Sequence, residues 1–173
     1  MRIKTAMAFL ALGTLTMGCG TGTQAADANA ETPQESSTAQ AVPDAESAKA
    51  FVDGIYSQYE GDGLGLDFEN PEAVFEPQLA AALRAEIERA EETGDMPDVG
   101  DPFCACNDYT GIEWSIGEVE VDGDMATVAV QTSLFGQTVD RVATLQAVDG
   151  EWRVYDMQVE GHDVSFRRDT LGE

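Results

Sequence analysis

The amino-acid sequence predicts an α+β fold in which N-terminal helices pack on a curved, four-stranded antiparallel sheet. Apolar residues recur at helical spacing up to residue 94 and alternate at strand spacing from residue 112 onward. The pairs Asp122-Gly123 and Asp149-Gly150 stand between alternating stretches, where Asp-Gly indicates a tight hairpin turn. Helices that precede a run of hairpin-connected strands are typical of the α+β class.

Two helices are predicted ahead of the sheet. The first covers residues 45–60, where Phe51, Ile55 and Tyr59 form an apolar stripe with Val52 alongside, and the glycines at positions 61, 63 and 65 end it. Asn70 followed by a proline marks a helix start, and a longer helix follows Pro77 and ends at Gly94. A loop rich in Asp, Pro and Gly covers residues 95–108.

Four strands are predicted from residue 112 to about residue 155. In the first strand the alternation changes phase near Gly117, because Ile116 and Val119 cannot share a face without an extra residue. A phase change of this kind indicates a β-bulge. The second and third strands are separated by the loop at Phe135-Gly136, and the fourth contains Trp152 and Val154.

The N-terminus has the pattern of an export signal. Met1–Lys4 is positively charged, and the apolar run that follows, to Met17, is shorter than the roughly 20 residues that span a bilayer. Residues 1–18 are therefore predicted as a signal peptide, and the sequence LTMGC resembles a lipoprotein box, which implies acylation of Cys19. Thr16 departs from the box pattern, and cleavage near Ala25 is the alternative.

The remaining chain is predicted as a tether, one domain and a tail. Residues 19–45 contain the lipidated Cys19 and a polar segment that cannot bury enough apolar surface to fold, 46–160 form the domain, and 161–173 a C-terminal tail. The predicted location is the outer membrane facing the periplasm, with acyl chains as the contact to the membrane; a soluble periplasmic protein is the alternative.

The charge of the chain excludes one class of partner. The chain has 33 acidic and 9 basic residues and a formal net charge of −24. Nucleic-acid binding requires a basic face that neutralises phosphates, and these residues cannot supply one. The acidic excess is interpreted mainly as a solvated, self-repelling surface.

Four segments between about residue 48 and residue 157 resemble a known family. They are FVDGIYSQY, FEPQLAAAL, the Asp101-Pro102-Phe103 loop ahead of Asn107-Asp108, and the strand from Asp149 to Val154. Their order resembles the nuclear transport factor 2-like (cystatin-like) superfamily, and more closely the bacterial lipoprotein family called domain of unknown function 3828. The resemblance implies a cone-shaped fold around a pocket. Superfamily members include isomerases, dehydratases and binding modules, so the fold does not settle the function.

The predicted function is a non-enzymatic binding domain for a small apolar ligand or an envelope protein. Six apolar and aromatic side chains are the candidate pocket lining. An isomerase or hydrolase remains the alternative, and it requires an inward carboxylate; Asp140 and Asp156 are the candidates, although outward-facing side chains are favoured for both. No catalytic residue, cofactor or metal site is predicted. The candidate lining consists of Phe51, Ile55, Tyr59, Trp114, Trp152 and Tyr155.

Cys104 and Cys106 form the sharpest local motif. In an oxidising envelope a pair of thiols favours a disulfide, and at this spacing it closes a very small ring. A thiol-exchange site or a soft-metal site is the functional alternative, but the single histidine, His162, does not complete a ligand set. A structural staple in the loop, or two free buried thiols, is favoured over either.

Overall fold

The structure is a computed structural model, and it describes residues 43–60, 68–104, 106 and 111–173. It confirms the predicted α+β class. The helices are α1 (Ala45–Tyr56), α2 (Pro77–Thr93) and α3 (Phe166–Leu171), with short 3₁₀ turns at Ser57–Tyr59 and Pro71–Ala73. The strands are β1 (Glu113–Asp122), β2 (Met125–Leu134), β3 (Gln137–Val148) and β4 (Glu151–Val159).

Several predicted features lie outside the described residues. They include the signal peptide, Cys19, most of the tether, the glycines after the first helix and the Asn107-Asp108 pair. Among the residues that are described, no helix is long and apolar enough to span a membrane.

Helix α1 starts where the sequence predicts, and together with the 3₁₀ turn that follows it buries Ile55 and Tyr59 of the predicted stripe, along with Val52 and Tyr56. The Asp44 carboxylate accepts a hydrogen bond from the Ser47 amide (2.9 Å) and caps the helix. Val52 and Tyr56 are fully buried, whereas Phe51 is only half-buried. The spacing of Val52, Ile55, Tyr56 and Tyr59 follows the true helical repeat of 3.6 residues, which a strict spacing of four misses.

Helix α2 is bounded by the two residues that the sequence indicates. Pro77 is its first residue, and Glu76 caps it by accepting hydrogen bonds from the Gln78 amide (2.9 Å) and the Leu79 amide (2.8 Å). Gly94 ends it with a positive φ of 74°, a conformation in which glycine has no Cβ clash.

The four strands form one antiparallel sheet in the order β1-β2-β3-β4. The register of β1 against β2 shifts between Ile116 and Val119, which confirms the predicted bulge. A second shift, which the sequence pattern does not reveal, pairs Thr144 with Asp156 but Leu145 with Val154. Tyr155 is the extra residue at this point.

The C-terminal residues pack on the domain through a buried ionic cluster. The Arg167 guanidinium pairs with the Glu76 carboxylate, donates to Gln78 Oε1 (2.7 Å) and lies 4.1 Å from the centre of the Tyr155 ring. Asp156 accepts hydrogen bonds from four groups: the Met157 and Arg167 amides, Ser165 Oγ and Gln158 Nε2. Residues 161–173, predicted as a tail, thus include a helix that contacts α2 and β4.

Replacement of Arg167 tests this cluster. We expect Arg167→Ala to lower the free energy of unfolding by about 3–5 kcal/mol, because it leaves the buried Glu76 carboxylate without its partner. The neighbouring Arg168→Ala should cost far less, because water screens the exposed pair of Arg168 with Asp163. Urea unfolding monitored by circular dichroism measures both. The double change Glu76→Gln with Arg167→Met should recover much of the loss, and equal costs for Arg167→Ala and Arg168→Ala would contradict the assignment.

Candidate functional site

A groove of about 690 Å³ lies between the 96–106 loop, the end of β4 and helix α3. Its walls combine apolar side chains with one arginine and three carboxylates, those of Asp98, Asp101 and Asp169. Met96 and Val164 stand at its rim and are 85% and 49% exposed, whereas Met157 is 3% exposed. The apolar side chains that line it include Phe68, Met96, Val99, Met157, Val164 and Phe166.

A buried arginine from β3 also lines this groove. Arg141 is 5% exposed and occupies the inward phase of its strand, together with Ala143 and Leu145. Its Nη2 donates to the Cys104 carbonyl (2.9 Å) and its Nη1 to the Pro102 carbonyl (3.3 Å). Its Nε contacts Thr132 Oγ1 at 3.4 Å.

Arg141 forms no ion pair in the part of the chain that the structure describes, although Asp98, Asp101 and Asp169 line the same groove. All three acceptors are neutral oxygens, and no carboxylate among the described residues lies within ion-pair distance. A guanidinium has five N–H groups, so the three hydrogen bonds described leave two N–H groups without a described acceptor. A buried charge without a counter-charge is costly, and an anion bound beside it would offset that cost.

The loop that supplies these carbonyls is fixed by Asp101. Its Oδ1 accepts hydrogen bonds from the Phe103 amide (2.9 Å) and the Cys104 amide (3.1 Å), and its Oδ2 accepts one from the Tyr59 hydroxyl (2.6 Å). These bonds form a turn whose Pro102 and Cys104 carbonyls accept hydrogen bonds from Arg141 of β3. The acidic side chain therefore serves to position the loop.

The disulfide between Cys104 and Cys106 is present in the structure and closes the same loop. The two Cα atoms are 5.1 Å apart, Cys104 is buried, and Cys106 lines the groove. A bond between residues two apart restricts the loop next to the carbonyl that Arg141 contacts. It therefore acts as a local staple at the site. Among the described residues, no three histidine, cysteine or acidic side chains come together in a way that could hold a metal ion.

Tyr56 joins the loop to the core beneath it. Its hydroxyl donates to the Phe103 carbonyl (3.2 Å), and its ring meets the Phe103 ring edge-on at 5.8 Å. Burial raises the pKa of the Tyr56 hydroxyl well above its ordinary value of 10.0, although the charge of Arg141 lowers it in part. The phenol therefore stays protonated and remains a hydrogen-bond donor.

The structure distributes the six predicted lining residues over the core and the surface. Ile55, Tyr59 and Trp152 are buried in the core, and the Trp152 indole donates to the Asp44 carbonyl (3.2 Å). Phe51 and Trp114 are half-buried against the core, and Tyr155 lies beneath Arg167. Tyr59 and Trp114 share a second, shallower groove.

The two carboxylates considered for catalysis lie in different surroundings. Asp156 points inward and is 6% exposed, as the enzyme alternative requires, but its oxygens accept the four hydrogen bonds that hold the C-terminal segment. Asp140 is exposed and accepts a hydrogen bond from Gln131 Nε2 (2.8 Å). His162 is exposed as well, and its backbone amide donates to the Val159 carbonyl.

Sequence reasoning missed most of the groove. Arg141 has a signal in the sequence, because it is a charged residue in an otherwise apolar inward phase of a predicted strand. Met96, Val164 and Phe166 have no such signal, because they lie in segments without periodicity and are brought together by the docking of α3.

Comparisons with known proteins give no family for this chain. No known family matches it, and no curated protein matches it in sequence. The finer resemblance to domain of unknown function 3828 is therefore not confirmed.

Three solved structures are similar in fold. A type VI effector–immunity complex from Ralstonia pickettii shares 16% identity over 72% of this chain and 100% of that chain, with a TM-score of 0.45. A phospholipid-binding protein from Ralstonia solanacearum shares 12% sequence identity over 75% of this chain and 84% of that chain, with a TM-score of 0.45. An NTF-2-like protein of unknown function from Silicibacter pomeroyi shares 19% sequence identity over 66% of this chain and 94% of that chain, with a TM-score of 0.37. At these identities the likenesses assign no function.

The alkaline stability of the protein tests the role of Tyr56. A raised pKa in the folded state means that stability is constant below the ordinary pKa of 10.0 and falls as the pH rises above it. We expect Tyr56→Phe to cost about 1 kcal/mol at pH 7, because one hydrogen bond is lost, and to lessen the fall in stability above about pH 10. Urea unfolding at pH 7 to 11 measures this, and an unchanged alkaline fall would contradict it.

Proposed function

We propose that this chain is an exported, lipid-anchored binding domain whose groove holds a small amphiphile with an apolar body and an anionic group. The observation that carries the proposal is the buried guanidinium of Arg141, which lines the groove beside apolar side chains and forms no ion pair among the described residues, the groove's Asp98, Asp101 and Asp169 included. An apolar ligand alone would use the walls but leave this charge unpaired.

The size and lining of the groove suit a ligand of this class. Small-molecule sites occupy roughly 300–1,000 Å³ and combine apolar walls with a few polar groups that orient the ligand. The groove of about 690 Å³ falls within that range. Each methylene group buried on its walls contributes about 0.8 kcal/mol, and a charge-assisted hydrogen bond contributes roughly 1.5–3 kcal/mol.

The anchoring part of the proposal rests on the N-terminal sequence. Acyl chains on Cys19 would hold the domain at the outer membrane, facing the periplasm, on a polar tether that ends near residue 45. Membrane lipids and their breakdown products are amphiphiles of the proposed class. A domain tethered beside a bilayer is therefore close to a source of its ligand.

Ligand binding tests the groove. We expect the purified chain to bind dodecanoate at least about tenfold more tightly than dodecanol, as measured by calorimetry, because only the carboxylate pairs with Arg141. Arg141→Met should remove this preference, whereas Arg84→Met, at an exposed arginine that pairs with Glu72, should preserve it.

A second variant, at the rim of the groove, tests the same site even if Arg141→Met does not fold. Met96 is 85% exposed, so Met96→Asp should leave the fold intact and weaken the binding of both amphiphiles. Failure of the wild-type chain to bind either compound would refute the small-ligand proposal and leave an envelope protein as the partner to be sought.

The anchor is tested separately. We expect the protein purified from its native membrane to carry two or three acyl chains on Cys19 by intact mass, and Cys19→Ala to move it from the membrane fraction to the soluble fraction. A mature protein that begins near residue 26 without added mass would instead establish a soluble periplasmic protein.

A further inference from the structure

The turn between β2 and β3 carries an aromatic residue that the fold does not require. Phe135 and Gly136 form this two-residue turn, and both have positive φ values, 51° and 77°. The Phe135 side chain is 76% exposed and belongs to no core cluster among the described residues. A bulky residue rarely adopts this conformation.

The turn between β3 and β4 provides an internal comparison. Asp149 and Gly150 adopt nearly the same conformation, with φ values of 53° and 81°. Aspartate, asparagine and glycine are the residues that two-residue turns of this kind favour. The chain thus uses the favoured residue at one end of the sheet and a strained, exposed phenylalanine at the other. Residues that break a local rule without a packing gain are candidates for function.

The chain around Phe135 is also free of charge. Residues 131–139 have the sequence QTSLFGQTV and contain no charged side chain, whereas 24% of all residues in the chain are charged. Along the chain the next charge after the turn is Asp140, and Glu113 of β1 pairs with Ser133 two residues before the turn. The tip of the hairpin is therefore uncharged, and the nearest acidic residues, Glu113, Asp140 and Glu160, stand at its base.

The hairpin extends past its neighbour on one side. The pairing of β3 with β4 ends at Arg141 opposite Val159, while β3 and β2 remain paired as far as Gln137 and Leu134. Beyond the Arg141–Val159 pair the Asp140 carbonyl still accepts a hydrogen bond from the Glu160 amide (2.9 Å), so three residues of β3 extend past β4, an overhang of about 10 Å at 3.3 Å per residue. Arg141, which lines the groove, lies at the base of this overhang, so the turn and the groove belong to the same end of the sheet.

We propose that the β2–β3 turn inserts Phe135 into the interfacial region of a phospholipid bilayer and docks the domain there. Trp, Phe and Leu are the side chains that interfacial segments bury at this depth, and an uncharged tip keeps the acidic surface away from lipid phosphates. A protein partner would instead need a broad apolar surface around the aromatic anchor, and this tip is narrow and flanked by polar residues. The proposal rests on the proposed function only in that a tethered domain is held near its membrane, where one weak contact suffices.

Depth-dependent quenching tests the insertion. The full mature chain with a C-terminal hexahistidine tag is held on phosphatidylcholine vesicles that contain a nickel-chelating lipid, so the result does not depend on Cys19. The fluorescence of the new tryptophan is the signal of the Phe135→Trp variant minus that of the wild-type chain, which has two tryptophans. We expect this difference to fall at least twofold when brominated phosphatidylcholine replaces the ordinary lipid. Asp149→Trp, in the equivalent turn at the opposite end of the sheet, is the matched control and should be unaffected.

The stability of a second variant separates docking from folding. Phe135→Asn should raise the midpoint of urea unfolding, since asparagine tolerates this backbone conformation, and should leave dodecanoate binding unchanged. A lower midpoint would mean that Phe135 serves the fold, and equal quenching of the two tryptophan variants would mean that the tip does not insert; either result overturns the proposal. Failure of the wild-type chain to bind dodecanoate would count against the proposed ligand groove only and would leave the membrane-docking proposal standing.

Discussion

The buried charge of Arg141 is the constraint on which the candidate site depends. Its guanidinium contacts the Pro102 and Cys104 carbonyls, and so the loop must fold over the sheet at this position. Asp101 fixes the turn that presents those carbonyls, and the Cys104–Cys106 disulfide closes it. The result is a positive charge beside apolar walls, in a chain with a formal net charge of −24. An anion that reaches this site from solvent must pass an acidic surface, so the apolar part of an amphiphile supplies binding energy that charge alone would not.

The second wall of the groove depends on another buried arginine. Arg167 anchors α3 by pairing with Glu76, and Glu76 at the same time caps α2. One carboxylate thus joins the start of α2 to the C-terminal helix. Because Phe166 immediately precedes Arg167 and lines the groove, docking of the helix and formation of the wall are a single event. Stability of the C-terminal segment and affinity for a ligand are therefore coupled.

Local patterns in the sequence were sufficient for the sheet but not for the site. The Asp-Gly turns and the phase change near Gly117 depend on neighbouring residues, and the structure confirms both the strand order and the bulge. In α1 the strict interval of four selects Phe51, which is only half-buried, and misses Tyr56, which the helical repeat buries beside Val52. The groove joins segments far apart in the chain, so no local pattern predicts it. The anchor at Cys19 stays a prediction from sequence.

The groove and the Phe135 turn lie at the same end of the sheet. The hairpin that carries Phe135 begins its overhang beside Arg141, so a bilayer that received the turn would lie beyond this same end of the sheet. An amphiphile leaving such a bilayer would then travel a short path, with its apolar part exposed to water only briefly. The strain at Phe135 is consistent with this arrangement, because Asn at that position would favour the fold but would remove the apolar contact. Selection for folding alone would be expected to replace this phenylalanine.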